Sequence, residues 1–159
     1  MNVHAKPIAL SLDALESRVG QEIGVSEWHQ LDQAMVDRFG EVTKDWQFIH
    51  VDPVRAKAES PYGGTIAQGF LTLSLLSVMG FEALPRIVGQ KIGLNYGFDK
   101  VRFLSPVPVG SRVRGRFVLT EVTPRSPTEI LLRTRVTVEI AGQSKPALVA
   151  EWLNLALLD

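Results

Sequence analysis

The sequence predicts an α+β domain in which a curved antiparallel sheet wraps around one long buried helix. A largely apolar helical segment follows a glycine-rich break near residue 65, and four strand-like runs then fill the second half of the chain. Short stretches rich in proline and glycine separate these runs, which favours antiparallel pairing, because parallel strands need longer crossovers. With 159 residues, the chain is expected to form a single domain over residues 1–159.

The first half of the chain carries the boundary signals of short helices. Ser11 is a suitable N-cap for a helix that ends at Gly20, and Asp32 is a suitable N-cap for a second helix that ends at Gly40. The stretch between these two helices indicates a short strand or an extended segment.

Asp52 and Pro53 give a stronger helix-start signal. An aspartate accepts hydrogen bonds from the free amides at the N-cap, and proline suits the first helical position. A short helix should therefore cover residues 53–59. The segment from Asp45 to Val51 leads into it and is expected to be irregular, so the chain bends there.

Thr65 is expected to cap the long helix, which would run for about fifteen residues after Gly63 and Gly64. Its apolar side chains cover nearly all sides, and a helix without a polar face is a buried helix. These side chains belong to Ile66, Phe70, Leu71, Leu73, Leu75, Leu76, Val78 and Met79.

The second half of the chain predicts a meander of four strands. The strand-like runs are KIGLNYGFDKVRFL, SRVRGRFVLTEV, EILLRTRVTVEI and ALVAEWLNLALL. The turn-forming stretches between them are SPVPVG, TPRSPT and AGQSKP.

Composition excludes several classes of function. The 17 basic residues balance the 17 acidic ones, so no global field attracts nucleic acid or a membrane surface. There is no cysteine, which removes disulfides, thiol nucleophiles and thiolate metal sites. The apolar run at residues 66–81 is short for a membrane span, and the N-terminal apolar stretch is broken too early for a signal peptide. We expect a cytoplasmic protein without a nucleic-acid or membrane partner.

Asp45 and His50 form a candidate acid–imidazole pair, although their spacing is awkward. Five positions place two side chains roughly 140° apart on a helix and on opposite faces of a strand. The pair can act together only because the chain is expected to bend between them. For an isolated pair, capping of loop amides and a bond to a carbonyl would be the usual roles.

Metal binding is a weaker interpretation of the same segment. His50 and Asp52 supply two ligands at most, whereas a protein metal site usually needs three or four. The other histidines, His4 and His29, have no ligand-like spacing. We therefore expect no metal and no cofactor.

The start of the long helix is a candidate oxyanion site. The first amides of a helix, here those of Ala67, Gln68 and Gly69, have no intrahelical partner and carry partial positive charge. Gly69 would let a ligand approach the backbone, or it would permit tight helix–sheet packing. Ser77 lies two turns further along the same general side of the helix, where a serine usually bonds back to the preceding turn.

Arginines alternate along two of the predicted strands. A solvated strand face is the favoured interpretation, and phosphate binding is the alternative. The residues are Arg112, Arg114, Arg116, Arg133 and Arg135.

The quoted motifs resemble a known family. TKDWQFIHVDPVRAKAE, with GGTIAQGFLTLSLLS downstream, is similar to the signature of MaoC-like (R)-specific enoyl-CoA hydratases, also called 3-hydroxyacyl-thioester dehydratases, and most of all to their nodulation-protein-N-like branch. NYGFDKVRFLSPVPVGSRV resembles the strand that follows the helix in that family. The resemblance covers about residues 20–157. Asp45 matches the family's acid, His50 its histidine and Asp52 the aspartate that follows. The family's helix start is matched by Ile66-Ala67-Gln68-Gly69.

The resemblance implies a hotdog fold, in which the sheet wraps around the long helix, and a homodimer. It implies an acyl-CoA or another acyl thioester as substrate, Asp45 and His50 as the catalytic pair, and the Gly69 amide as the donor to the thioester oxygen. Gln68 and Ser77 would be supporting substrate-site residues, and an apolar tunnel beside the helix, lined by residues such as Phe70, would hold the acyl chain.

The chain departs from the family pattern at two places. Lys44, Gln47 and Phe48 stand where the family often has glycine, asparagine and proline, and Gln68 replaces a common histidine. These changes bear on the loop shape and on substrate preference.

Two other functions compete with hydration. Hotdog thioesterases commonly use an acid on the long helix, and residues 65–81 contain no Asp or Glu. A non-catalytic module that binds acyl thioesters would keep the tunnel, but it would not need Asp45 and His50 together.

Overall fold

The computed structural model describes residues 8–159. Its first half consists of short elements. In chain order these are β1 (Ala9–Leu10), α1 (Leu12–Glu16), β2 (Glu22–Val25), β3 (His29–Gln30), α2 (Gln33–Thr43), α3 (Phe48–Val51) and α4 (Pro53–Glu59).

The second half consists of a broken helix followed by long strands, which confirms the predicted α+β class. These elements are α5 (Gly69–Ser74), α6 (Leu76–Ala83), β4 (Arg86–Ile87), β5 (Gln90–Phe103), β6 (Arg112–Ser126), β7 (Glu129–Ile140) and β8 (Leu148–Leu158).

The main sheet is antiparallel, with strand order β2-β6-β7-β8-β5, and β3 also pairs with β6. Strands β6, β7 and β8 form the predicted meander. The prediction was wrong for β5, which pairs with β8 rather than with β6 and forms the far edge of the sheet. The chain between β5 and β6 therefore crosses the sheet from the β5 edge to the strand that pairs with β2 and β3 near the opposite edge.

The turn predicted at residues 123–128 is shorter in the structure. Strand β6 continues to Ser126, and β7 begins at Glu129. The β6–β7 register shifts between Pro124 and Ser126, and such an irregularity accommodates a proline, which cannot donate to the ladder.

The sheet curves around the broken helix. Three register shifts between β5 and β8 bend these strands, as β-bulges do. The Trp152 ring stacks on Phe98 with ring centroids 5.9 Å apart and covers α6 at Gly80, where a Cβ atom would lie 2.8 Å from the ring. The absence of a side chain at Gly80 thus lets the helix lie close to the concave face.

Three predicted N-caps are confirmed. The side chain of Ser11 accepts from the Ala14 amide at 3.2 Å, and that of Asp32 accepts from the Met35 amide at 2.8 Å. The Asp52 side chain does the same for α4, at 2.9 Å from the Arg55 amide.

Helix α2 does not end at Gly40 as predicted. It runs to Thr43, and Lys44 ends it in the left-handed conformation with φ 63°. Gly40 is buried, and a Cβ atom there would lie 2.9 Å from the carbonyl oxygen of Asp45. The glycine therefore makes room for the returning chain rather than ending the helix.

The long helix begins three residues later than predicted, because its N-cap is Gln68 rather than Thr65. The Thr65 hydroxyl donates to Gln33 Oε1 at 2.6 Å, and the Ala67 amide donates to the Val107 carbonyl at 2.8 Å. Long-range bonds thus hold this stretch extended, and the helix starts at Gly69.

The long helix is also not buried on all sides. Leu71, Leu76 and Met79 pack into the core, whereas Phe70 and Phe81 are 69% and 68% exposed. The apolar side chains of the helix therefore leave one face uncovered in the single chain.

Candidate active site

Asp45 and His50 meet across the bend between α2 and α4. Lys44 turns the chain at the end of α2, and the Asp45 amide donates to the Gly40 carbonyl at 3.1 Å. One turn of helix, α3, then carries His50 back toward Asp45, although this segment was expected to be irregular. The carboxylate Oδ2 of Asp45 lies 4.0 Å from His50 Nε2, too far for a direct hydrogen bond.

The second ring nitrogen fixes the orientation of His50. Nδ1 lies 2.7 Å from the carbonyl oxygen of Ile66. Because a carbonyl oxygen can only accept, Nδ1 is the donor, and in the neutral ring Nε2 keeps its lone pair toward Asp45. His50 is 7% exposed, while the Asp45 side chain is 42% exposed. The pair therefore joins a buried imidazole to a carboxylate that water can reach.

Gln33 supports this arrangement, and the sequence analysis missed it. Its Nε2 donates to the His50 carbonyl at 2.7 Å, and its Oε1 accepts from the Thr65 hydroxyl at 2.6 Å. One side chain on α2 thus holds both α3 and the segment before α5. No local pattern marks such a residue, because both partners are distant in sequence.

His50 and Gly69 line one cleft of about 330 Å³. The lining residues are His50, Tyr62, Ile66, Ala67, Gly69, Thr72, Phe103, Leu104, Ser105, Pro106, Val107 and Ala147. A Cβ atom at Gly69 would lie 3.1 Å from the Phe103 ring, so the glycine permits close packing of that ring. Within the described chain no backbone carbonyl accepts from the Gly69 amide, the first of the helix.

Gln68 lies behind the cleft rather than in it. Its side chain is buried, and Nε2 donates to the Val36 carbonyl of α2 at 3.1 Å. Its Oε1 is buried without a hydrogen-bond partner among the described residues. The structure therefore places Gln68 as a link between α2 and the start of α5.

Ser77 lies apart from the acid–imidazole pair. It lines a second cavity, of about 480 Å³, between α6 and the first half of β5. The structure thus places Asp45 4.0 Å from His50 and puts His50 and Gly69 in one cleft, whereas Ser77 lines the second cavity.

The arginine-rich strands form ion pairs on the outer face of the sheet. Arg114 Nε lies 2.6 Å from Glu139, and Arg116 bonds Glu22 with two nitrogens at 2.8 and 2.9 Å. These hydrogen bonds and the charge of Glu22 raise the pKa of the Arg116 guanidinium. Arg133 pairs with Asp99 and Glu121. This pairing agrees with the solvated-face interpretation.

Residues 8–159 contain no group of three or more His, Cys, Asp or Glu side chains placed to hold a metal ion. None of the helices described there is both long enough and apolar enough to span a membrane.

Comparison with known proteins places the chain in a family. A family model described as MaoC like domain matches residues 14–140. Nodulation protein N from Rhizobium leguminosarum bv. viciae is 55% identical over 150 residues, which cover 94% of this chain and 93% of that protein. The 3-hydroxyacyl-thioester dehydratase Z of Mycobacterium tuberculosis (strain ATCC 25618 / H37Rv) is 43% identical over 141 residues, which cover 89% of this chain and 92% of that protein.

Solved structures share the fold. The unliganded R-hydratase PhaJ1 from Pseudomonas aeruginosa superposes with a TM-score of 0.72 at 23% identity, covering 98% of this chain and 90% of that one. A MaoC-like dehydratase from Rhodospirillum rubrum superposes with a TM-score of 0.76 at 19% identity, covering 95% of this chain and 99% of that one. At such identities the likeness shows the fold alone, and it confirms the predicted hotdog arrangement. With the sequence matches, these observations establish that the chain belongs to the MaoC-like domain family.

Proposed function

We propose that the protein is an (R)-specific enoyl-CoA hydratase, which adds water reversibly to a trans-2-enoyl thioester. One observation carries the proposal: the Asp45 carboxylate and His50 Nε2 are two acceptors 4.0 Å apart, beside the cleft that contains Gly69. The name of its 43% identical relative, a 3-hydroxyacyl-thioester dehydratase, supports the reaction class, and the resemblance of its motifs to (R)-specific hydratases is the reason for proposing (R) stereochemistry.

Two acceptors at this separation suit one water molecule. A water between them can donate one hydrogen to the Asp45 carboxylate and the other to His50 Nε2, each over an ordinary hydrogen-bond length. The bond from His50 Nδ1 to the Ile66 carbonyl keeps Nε2 as the acceptor in the neutral ring. The water oxygen then has a lone pair free to attack a carbon atom in the cleft.

The addition is a general acid–base reaction. The water oxygen bonds to C3 of the enoyl chain while the pair takes one of its protons. The C2–C3 π electrons move toward the thioester, which becomes enolate-like. The proton held by the pair then passes to C2, so that one water is consumed and no group is left over. Dehydration follows the same steps in reverse.

The Gly69 amide is the proposed donor to the thioester oxygen. As the first amide of α5 it has no carbonyl acceptor in the described chain, and it belongs to the same cleft as His50. A fixed donor directed at the developing enolate oxygen stabilises the transition state more than the ground state.

The predicted acyl tunnel needs one revision. Phe70 is 69% exposed and does not line the cleft, whereas Phe103 does. The apolar wall beside the reacting carbons is therefore assigned to Ala67, Val107 and Phe103.

A thioesterase is the main rival. Residues 65–81 contain no Asp or Glu, and the acid that follows, Glu82, is engaged elsewhere. Its side chain is only 6% exposed, lies 3.0 Å from His29 and accepts from the Glu27 amide at 3.2 Å. Glu82 is thus buried and bonded to His29 and Glu27 through Oε2, while its Oε1 is buried without a partner among the described residues, so it does not face either the Asp45–His50 pair or the cleft beside it. A module that only binds acyl thioesters would not need an acid and an imidazole 4.0 Å apart beside the cleft.

A homodimer is part of the proposal. Strand β5 is a 14-residue edge strand, and its outer side offers unpaired backbone groups to a second copy. Its residues Ile92, Leu94 and Tyr96 are exposed, and Phe81 of the open helix face lines the same cavity as Gly93 and Asn95 of β5. A symmetric partner would cover both.

The test follows two signals during incubation with crotonyl-CoA. Hydration removes the absorbance of the conjugated enoyl thioester without releasing a thiol, whereas hydrolysis releases free CoA. We expect loss of the enoyl signal with no free thiol. Thiol release at the rate of substrate loss would support the thioesterase instead, and binding without either signal would support the non-catalytic module.

A further inference from the structure

The direction of the Gly69 amide depends on the residue before it. The Gly69 N–H shares one planar peptide group with the carbonyl of Gln68. That carbonyl accepts from the Thr72 amide at 3.2 Å and from the Thr72 hydroxyl at 3.4 Å, so it points along α5. Because N–H and C=O point in opposite directions in a trans peptide, the Gly69 N–H points out of the start of the helix.

The side chain of Gln68 holds the same residue from a second direction. It is 2% exposed, and its Nε2 donates to the Val36 carbonyl on α2 at 3.1 Å. Although Gln68 is the N-cap of α5, its side chain makes no bond to its own helix, as a capping side chain usually does. The side chain therefore ties the start of α5 to α2.

The turn of α2 that holds Gln68 also holds Asp45. A Cβ atom at Gly40 would lie 2.9 Å from the Asp45 carbonyl oxygen and 3.4 Å from Gln68 Nε2. The Asp45 amide donates to the Gly40 carbonyl at 3.1 Å, and Val36 lies one turn before Gly40 on the same face of the helix. Helix α2 is thus a common reference for the proposed base and the proposed oxyanion donor.

The amide of Gln68 has an energetic cost that an apolar side chain of the same length would avoid. Its Oε1 is buried without a hydrogen-bond partner among the described residues, which is unfavourable. Gln68 does not line the cleft, so its side chain cannot act on a substrate directly. Its effect on the reaction must pass through Gly69, where a small misplacement of a donor costs rate.

We propose that Gln68 is a positioning residue, which aims the Gly69 N–H at the thioester oxygen by tying the start of α5 to the turn of α2 that also holds Asp45. This inference rests on the hydration proposed above and adds to it a residue that never touches the substrate.

Gln68→Met tests the role kinetically, because it keeps the length of the side chain and removes the donor to Val36. In the folded variant we expect kcat for crotonyl-CoA to fall roughly tenfold to 100-fold with KM nearly unchanged, since the donor is misdirected while the cleft remains. Ile130→Val is the control, because Ile130 is buried in a cluster that contains no residue of the site. It should lower stability and leave kcat unchanged.

A second readout measures the donor itself. Butyryl-CoA is saturated and cannot be hydrated, and a hydrogen bond to its thioester oxygen lowers the carbonyl stretching frequency. Infrared difference spectra with an isotope-labelled carbonyl should show a lowered frequency for butyryl-CoA bound to the unaltered protein and to Ile130→Val. The frequency should be lowered less in Gln68→Met.

An unchanged carbonyl frequency in folded Gln68→Met, or an equal loss of kcat in Ile130→Val, would overturn the inference while the hydratase function stands. Gln68→Asn, which is too short to reach Val36, is a second variant with the same expected results. Failure of both Gln68 variants to fold would make the residue structural and reject the proposal. If the unaltered protein hydrates no enoyl-CoA, the proposed function fails and the carbonyl frequency alone decides. The absence of any shift in the unaltered protein would then reject this inference as well.

Discussion

Asp45 and His50 become neighbours through the backbone on either side of them. Lys44, in the left-handed conformation at φ 63°, turns the chain out of α2, and the single turn of α3 turns it back. Two side chains that would diverge on any regular element thus face each other at 4.0 Å. The bond from Nδ1 to Ile66 and the bond from Gln33 to the His50 carbonyl then hold the imidazole in place.

If the pair acts on one water, the effects of removing its members will not add. Asp45→Asn keeps the shape but removes the base and should lower kcat roughly 100-fold or more. His50→Ala should do similar damage, and the double variant should be little worse than either single one. Steady-state kinetics on crotonyl-CoA, beside thermal melting curves, measures this.

Glu41→Gln provides the control, since it neutralises an exposed carboxylate on α2, the helix that ends just before Asp45. It should leave kcat unchanged. Full activity in a stably folded Asp45→Asn protein would end the catalytic assignment. Loss of activity only in proportion to the unfolded fraction would mean that the pair is structural.

Part of the geometry of the candidate site could be predicted at this scale, and the exceptions share one cause. Asp45 and His50 sit in a recognisable spacing and lie 4.0 Å apart, and His50 shares a cleft with Gly69. The direction of the Gln68 side chain and the role of Gln33 depend on partners more than fifteen residues away. Such contacts cannot be predicted from the local sequence.

At the scale of elements, Gln33 connects three segments of the site. Gln33→Ala leaves the His50 carbonyl and the Thr65 hydroxyl without their partner, which should cost about 1–3 kcal/mol of stability. Because α3 would also shift, kcat should fall more than KM changes. Arg38→Ala, an exposed change on the same helix, should lower neither the stability nor kcat. Unchanged melting and kinetics in Gln33→Ala would show that the contacts are incidental.

The packing of β2 against the end of α6 depends on one glycine. A Cβ atom at Gly24 would lie 2.0 Å from the carbonyl oxygen of Ala83, and a backbone atom cannot rotate away. Gly24→Ala should therefore lower the free energy of unfolding by about 1–3 kcal/mol or more. Gly64→Ala, with no neighbouring atom within 4 Å, should stay within about 0.5 kcal/mol of the original protein. Denaturant titration of both variants checks this, and equal midpoints would contradict it.

Elements were predictable where the signal is local. The N-caps Ser11, Asp32 and Asp52 bond amides only three residues away, so the local sequence is enough to predict them. The four long strands were likewise predictable from the alternation of their own side chains. The helix start at Gly69 was missed because Gln33, distant in sequence, engages Thr65. The position of β5 at the sheet edge was missed because alternation identifies a strand but not its neighbour.

At the scale of the whole molecule, the exposed edge region predicts a homodimer. Light scattering at micromolar concentration should give twice the 17.5 kDa chain mass. Leu94→Arg puts a charge on the exposed part of β5 and should shift the protein toward monomer. Val54→Arg, at a residue 82% exposed on α4, should leave the dimer intact. A monomer mass for the unaltered protein would defeat the dimer proposal.

The proposed function requires that water is added to one face of the enoyl thioester. Chiral chromatography of the product formed from crotonyl-CoA tests it most directly, because uncatalysed addition has no preferred face. We predict the (R)-3-hydroxybutyryl thioester as the dominant product, formed by the unaltered protein and almost absent with Asp45→Asn. A racemic or (S) product would rule out (R)-specific hydration, and the same (R) product at the same rate from Asp45→Asn would rule out Asp45 as its base.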